Sequence, residues 1–323
     1  MNSVVTGAAG FIGATLAGQL LAQGDTVSGV DCFLDSYPIE IKRDRVRDLL
    51  SHENFSFSEA DLLDLDLNAL LDGTDRVFHL AAQAGVRSSW GRRFEVYTHS
   101  NILATQKLLE AAKDRNIRRF VYASSSSVYG DAEIMPTPEE APLNPVSPYA
   151  VSKLAGEHLC NLYHKNFGVP TVVMRYFTVY GPKPRPDQAV CIFSRALFEG
   201  TEIQIFGDGE QLRGMTYVDD VVRANLLAAE QPCVGEVFNI GGGMSITVNQ
   251  LIDHLQRLTG KSARLSYKEA MKGDARHTLA DISKAQRVLG WNPELEIAEG
   301  LARTVASIQK FYYPGQPLPA SEI

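Results

Sequence analysis

Three features of the sequence predict an α/β fold, a doubly wound parallel sheet joined to a smaller mixed α/β domain. Short β-like runs alternate with helix-like runs through the first half of the 323 residues, the pattern of a parallel sheet with helices on both faces. A glycine-rich turn joins the first strand to the first helix, where doubly wound sheets bind phosphates. After Arg175 the alternation gives way to a proline-rich loop and short elements, which marks a second, mixed unit.

In order, Val4-Val5 leads into Gly7-Ala8-Ala9-Gly10-Phe11-Ile12-Gly13 and an apolar helix through Leu21. Thr26 to Val30, Phe55 to Phe57 and Arg76 to Leu80 read as the second to fourth strands. A long helix is expected from Phe94 to Arg115, a strand from Phe120 to Ala123, a helix from Pro148 to Phe167 and a strand from Thr171 to Met174. Right-handed crossovers between these strands give a Rossmann-like domain. Residues 180–187 hold three prolines and form an irregular loop. Helices are expected near 189–199, 247–258 and 296–312, while Val218 to Glu230 and Val237 to Ile240 read as a helix and strand returning to the first domain. The expected division is 1–176 with 216–241, a second domain of 177–215 with 242–313, and a loose tail at 314–323.

The formal net charge is -7, which disfavours nucleic-acid or polybasic membrane partners. An acidic chain that binds an anionic ligand must place its cations locally, so individual arginines become informative. Cys32, Cys160, Cys191 and Cys233 are widely spaced and form no CxxC pair. Four buried free thiols in a reducing compartment are expected. Met1 to Ala22 lacks a basic n-region and Thr6, Thr15 and Gln19 interrupt it, so it is not read as a signal peptide. No run reaches the ~18 apolar residues of a membrane span, and the expected location is the cytoplasm.

In the turn from Gly7 to Gly13, glycine permits a tight bend and close approach of backbone to a pyrophosphate, which the helix N-terminus then stabilises. Asp31 ends the second strand, 18 residues after Gly13. A carboxylate there accepts hydrogen bonds from an adenosine ribose and repels a 2′-phosphate, which selects NAD over NADP.

Tyr149 and Lys153 are four residues apart in a helical segment, on one face of it. An ammonium beside a phenol favours the phenolate, which makes tyrosine a usable base. Ser124-Ser125-Ser126-Ser127-Val128-Tyr129-Gly130 follows the strand at 120–123, so these serines lie at the carboxyl edge of the sheet, where such folds bind ligands.

TGAAGFIG, Asp31, HLAAQAGVR, ASSSSVYG, PYAVSK, MRYFTVYGP and TYVDDVV occur in the order seen in extended short-chain dehydrogenases. The chain resembles that family over nearly its whole length, and within it the NAD-dependent sugar-nucleotide enzymes, above all UDP-glucuronate 4-epimerases. AAQAGVR at 81–87 and RYFTVYGPKPRPD at 175–187 carry the resemblance furthest. It implies Ser125 as the catalytic hydroxyl, Tyr149 as the base and Lys153 as the ligand of the nicotinamide ribose. It implies a cofactor lining of Gly7, Gly10, Phe11, Ile12, Gly13, Asp31, Asp61, Leu62, Leu80, Ala81, Ala82, Asn101 and Tyr176. Thr178 and Arg213 would hold the substrate diphosphate side, and Asp274 would lie near the uridine ribose with Arg276 beside it. One departure is Arg213-Gly214-Met215, where the family usually has Arg-Asp-Phe.

The resemblance also bears on the reaction. The family's dehydratases carry Asp-Glu after the catalytic hydroxyl and its decarboxylases a glutamate before Val-Tyr-Gly. Here these positions are Ser126 and Ser127, which cannot supply that acid and base. Epimerisation needs neither, since the C4 ketone only turns over and takes its hydride back. A C6 carboxylate needs donors, which Ser126, Ser127, Thr178, Arg185 and Arg87 can supply. The expectation is a UDP-glucuronate 4-epimerase acting as a homodimer. The alternatives are a UDP-glucose or UDP-N-acetylglucosamine 4-epimerase, a UDP-glucuronate decarboxylase, and a non-catalytic NAD-sensing protein on the same fold.

Overall fold

In the computed structural model, residues 1–242, 245–269 and 276–319 are described. The first half contains β1 (Asn2–Thr6), α1 (Phe11–Ala22), β2 (Thr26–Asp31), α2 (Ile39–Arg47), β3 (Phe55–Glu59), α3 (Leu67–Leu70) and β4 (Arg76–His79). Next come α4 (Phe94–Tyr97), a π-helical segment Thr98–Leu103, α5 (Ala104–Ala112), β5 (Arg119–Ser125), α6 (Pro148–Phe167) and β6 (Thr171–Tyr176). The second half runs β7 (Thr178–Tyr180), α7 (Ala189–Glu199), β8 (Glu202–Phe206), β9 (Leu212–Tyr217), α8 (Val218–Glu230) and β10 (Val237–Ile240). It ends with β11 (Ser245–Thr247), α9 (Val248–Thr259), β12 (Arg264–Lys268), α10 (Ser283–Leu289) and α11 (Ile297–Tyr312).

The main sheet has seven strands in the order β10-β6-β5-β4-β1-β2-β3, and every adjacent pair is parallel. The chain leaves β1 toward β2 on one side and resumes with β4 on the other. That reversal opens a crevice at the carboxyl ends of β1 and β4, where such folds bind ligands. β10 pairs with the outer edge of β6, and α8 packs with α1 in the core on one face of the sheet, around Leu16, Val221 and Phe238. The other face buries Leu108, Phe120, Cys160 and Tyr163.

The smaller unit has its own apolar core, drawn from Phe193, Ile203, Leu255 and Leu301 among others. It carries a sheet of order β11-β9-β7 and a parallel pair of β12 and β8. The segment expected as a loose tail packs Leu318 against this core.

The helix expected at Phe94–Arg115 is interrupted at Thr98–Leu103 by the π segment, one extra residue per turn that marks functional sites in many helices. Propensity does not reveal it; the buried amide of Asn101 does. It donates to Gln83 O (3.0 Å) and Ser152 Oγ (2.8 Å), and its Oδ1 accepts from Gln83 N (2.7 Å). Asn101 thus pins the loop after β4 to α6, and widening the turn lets it reach both.

Candidate active site

The carboxyl ends of β1, β4, β5 and β6 surround one cleft of about 720 Å³. Gly7, Gly10, Phe11, Ile12, Gly13, Asp31, Asp61, Leu62, Leu80, Ala81 and Ala82 line it, as do Ser125, Ser126, Ser127, Tyr149, Lys153, Tyr176, Thr178, Arg185 and Arg213. Residues scattered over 207 positions are therefore neighbours, because the strand ends, α6 and the segments after β6 converge on this edge of the sheet.

The glycine turn is built for a dinucleotide. A Cβ on Gly13 would stand 2.1 Å from Gly7 O, and one on Gly7, which has φ +71°, would stand 2.8 Å from Ala81 N. Only glycine lets the loop fold on itself against the strand-β4 loop. Gly10 caps α1 without a side chain, and no acidic residue lies in the first turn, so the helix end keeps its positive field for a pyrophosphate. Asp31 is oriented by backbone donors, Ala9 N to Oδ2 at 3.1 Å and Phe33 N to Oδ1 at 2.9 Å. Lys42 Nζ stands 3.7 Å from Asp31 Oδ1. Lys42 lies in α2, which carries no recognisable motif, and sequence reasoning missed it. These residues fit NAD, which supplies a reversible hydride acceptor when bound.

Helix α6 positions Tyr149. Ser147 Oγ accepts from Ala150 N at 3.2 Å, Pro148 sits at the first turn and Gly168 ends the helix in the left-handed conformation. Tyr149 is therefore held in the first turn, with Lys153 one turn on. Burial raises the Tyr149 phenol above its ordinary value, while a hydrogen bond from Ser125 and the charge of Arg185 pull it back. Ser125 Oγ in turn accepts from Ser127 N at 3.2 Å and from Ser127 Oγ at 3.0 Å. The serine run is thus a hydrogen-bonded relay ending on the phenol.

The Arg185 charge acts on Tyr149, and the Lys153 ammonium lies over the Tyr122 ring, 4.7 Å from its centroid. Burial lowers Lys153 to about 8, opposed by Cys160 and Glu157. Burial also pushes the Cys160 thiol well up, so it is uncharged at neutral pH and Glu157 is the effective counter-charge. Cys32, expected to be buried, is exposed on the cleft wall, because β2 ends at Asp31 and releases the next residue to the surface.

Behind the relay lies a buried ion pair. Glu157, one turn beyond Lys153, pairs with Arg175 of β6, with Nη2–Oε2 at 2.7 Å and Nε–Oε1 at 2.9 Å. Ser124 donates to the same carboxylate, and Arg175 Nη1 donates to Tyr129 OH at 2.7 Å.

The remaining residues divide. Tyr176 reaches the wall, but its hydroxyl donates to Asn225 Oδ1 at 2.6 Å. Asp61 Oδ1 accepts from Leu63 N at 2.9 Å. Asn101 is not on the wall and acts from behind it, through Gln83. Arg87 carries its guanidinium 4.8 Å from the Phe206 ring centroid, joining the loop after β4 to the smaller unit. Arg276 is exposed and paired with Asp208 at 3.3 Å, away from the cleft wall, because its backbone N is held by Asp131 Oδ1 at 3.1 Å. Asp274 lies outside the described residues. At the Arg213-Gly214-Met215 departure β9 runs unbroken, and Gly214 N donates to Thr278 O at 2.7 Å. A Cβ there would meet Thr278 O at 3.1 Å, so backbone approach replaces the missing side chain. Tyr37, Arg93, Asp187 and Gln188 also line the cleft; of these only Asp187 falls within a motif read from the sequence.

The glycine turn and the oriented Asp31 carboxylate are expected to hold the cofactor through purification. The purified protein is therefore expected to release NAD on denaturation, identified by chromatography against NAD and NADP standards. NADP as the main species would overturn the role given to Asp31.

Residues 3–241 match the model of the NAD dependent epimerase/dehydratase family. A UDP-glucuronate 4-epimerase of Thermodesulfobacterium geofontis is 43% identical over 307 residues, covering 94% of each chain. A Bacillus subtilis protein described as an uncharacterized UDP-glucose epimerase, YtcB, is 41% identical over 314 residues, 97% of this chain and 99% of that one. The crystal structure of UDP-glucuronic acid 4-epimerase from Bacillus cereus, in complex with UDP-glucuronic acid and NAD, superposes with a TM-score of 0.94. It is 42% identical over 97% of this chain and 100% of that one. Among the described residues no helix is long and apolar enough to cross a membrane. With a glycine turn that leaves no room for side chains, Ser125, Tyr149 and Lys153 together on the cleft wall, and this agreement along nearly its full length, the chain belongs to the NAD-dependent epimerase/dehydratase family.

Proposed function

We propose that this protein, an NAD-dependent 4-epimerase of UDP-linked hexoses, interconverts UDP-glucuronate and UDP-galacturonate. The observation that carries this reading is Arg185 on the wall of the cleft that holds Tyr149 and the plain serine run. Tyr149 accepts the proton of the C4 hydroxyl and later returns it, and Ser125 holds the phenol in place. With a ketone at C4, the carboxylate on C5 makes the sugar a β-keto acid, which loses CO₂ readily when that C–C bond stands perpendicular to the ketone plane. An epimerase must hold the carboxylate out of this alignment while the ring turns. Ser126, Ser127, Thr178 and Arg185 are the donors placed for it, and pre-positioned donors need no reorganisation during the step.

Asp187 already holds Arg185 through two contacts of 3.0 Å. That partial neutralisation favours, as the second reading, an uncharged C6 group and UDP-glucose. Incubation with UDP-glucuronate, UDP-glucose and UDP-N-acetylglucosamine separately, with products identified by NMR, tests the proposal. UDP-galacturonate with little CO₂ is expected, and turnover of UDP-glucose alone would overturn it. Arg185→Ala is expected to raise KM for UDP-glucuronate and release more UDP-pentose; an unchanged product ratio would remove Arg185 from carboxylate control.

A homodimer belongs to the same proposal. Val151 and Leu162 of α6 are exposed and stand about three turns apart on one face, opposite the buried Cys160. Light scattering on the purified protein measures this directly.

A further inference from the structure

We propose that Arg45 is a positioning residue: it fastens the loop that carries Arg185 to the glycine-rich loop and so fixes where the Arg185 guanidinium stands in the cleft. This rests on Arg185 serving the reaction.

Arg45 belongs to α2 and is buried. Its fork spans three parts of the molecule. Nε donates to Lys183 O at 3.0 Å and Nη2 to Pro184 O at 2.9 Å, both in the loop just before Arg185. Nη1 donates to Tyr37 OH at 2.6 Å and reaches Ala9 O, within the glycine turn, at 3.5 Å. The guanidinium also faces the rings of Tyr37 and Phe11 at 5.4 and 6.0 Å. A planar fork with several fixed donors can bridge in this way, and an ammonium cannot.

The loop needs such a fastening. Lys183 has φ +53°, a left-handed conformation that a side chain disfavours and that persists only where the surroundings hold it. Lys183 N donates to Ser307 Oγ at 2.9 Å, and its Nζ pairs with Asp44 Oδ2 at 3.0 Å. The loop is thereby held from α2 and from α11 at once. Tyr37 and Arg185 share the cleft wall, and the Arg185 charge acts on Tyr149. Arg45 thus ties the part of the cleft that holds the cofactor to the part that holds the reacting sugar, without touching either ligand.

A double-mutant cycle tests this. Arg45→Lys, Arg185→Ala and the double variant are assayed for kcat, KM, their pH dependence and bound NAD. Arg45→Lys is expected to raise KM about tenfold, the scale of a small misplacement of a binding group. It should also move the rising limb of kcat to higher pH, since a displaced cation no longer favours the phenolate, while bound NAD stays near wild type. In the Arg185→Ala background the same change is expected to add nothing. Independent, multiplicative effects would overturn the proposal, and so would loss of NAD with KM unchanged. If Arg45→Lys does not fold, Tyr37→Phe removes one partner of the fork and is read by the same cycle. If the wild type ignores UDP-glucuronate and turns over UDP-glucose, the substrate assignment fails. The cycle is then run on UDP-glucose with the same two outcomes.

Discussion

Tyr149→Phe is expected to lower turnover by ~10²–10⁴, the usual cost of losing a general base, while the fold stays intact. The change removes one oxygen from a half-buried ring that still packs edge-on to Tyr97, at 6.1 Å between centroids. In the mechanism proposed above, the lost oxygen is the group that accepts and returns the C4 proton. The phenol is poised by opposing effects: burial raises it, and Ser125 and Arg185 lower it. Turnover of the wild type should therefore rise with pH as the phenolate forms. Ser125→Ala removes one of the lowering influences, so its rising limb should move to higher pH, with a smaller loss of rate than Tyr149→Phe. Steady-state assays across pH, with circular dichroism as the control for folding, check all of this. Turnover within threefold of wild type in Tyr149→Phe would exclude Tyr149 as the base.

Glu157→Ala is expected to be the most damaging substitution for stability, by about 3–5 kcal/mol. Both partners of the Glu157–Arg175 pair are almost fully buried. Removing the carboxylate strands a guanidinium between β6 and α6 and takes an acceptor from Ser124 at the end of β5. The penalty comes from the unpaired buried charge rather than from the lost attraction. Replacing both partners by apolar residues, Glu157→Leu with Arg175→Met, should therefore recover much of it. Urea unfolding of the wild type and the two variants measures the difference. A loss below ~1 kcal/mol for Glu157→Ala would mean that water or another group relieves Arg175.

The sequence by itself determined the doubly wound class, most of the sheet and the core of the site. Strand–helix alternation and the glycine turn are local signals, set by backbone sterics and side-chain periodicity over a few residues. Pro148 to Phe167 was legible to both ends because Ser147, Pro148 and Gly168 mark them. Tyr149, Lys153 and the serine run were legible as short motifs, and their order along the chain carried the family resemblance. What could not be read locally concerns partners far apart in sequence. The short strands β7, β8, β9, β11 and β12 exist through pairing with one another, and at three to six residues each they are too short to stand out in the sequence. Only the tertiary structure decided that the Arg185 charge acts on Tyr149, that Arg276 pairs with Asp208, and that Glu157 is a buried partner of Arg175. It alone brought Arg45 within reach of Lys183, 138 residues away. Electrostatic and hydrogen-bonding roles depend on distance and burial, and for residues on different elements both are set by how the elements pack.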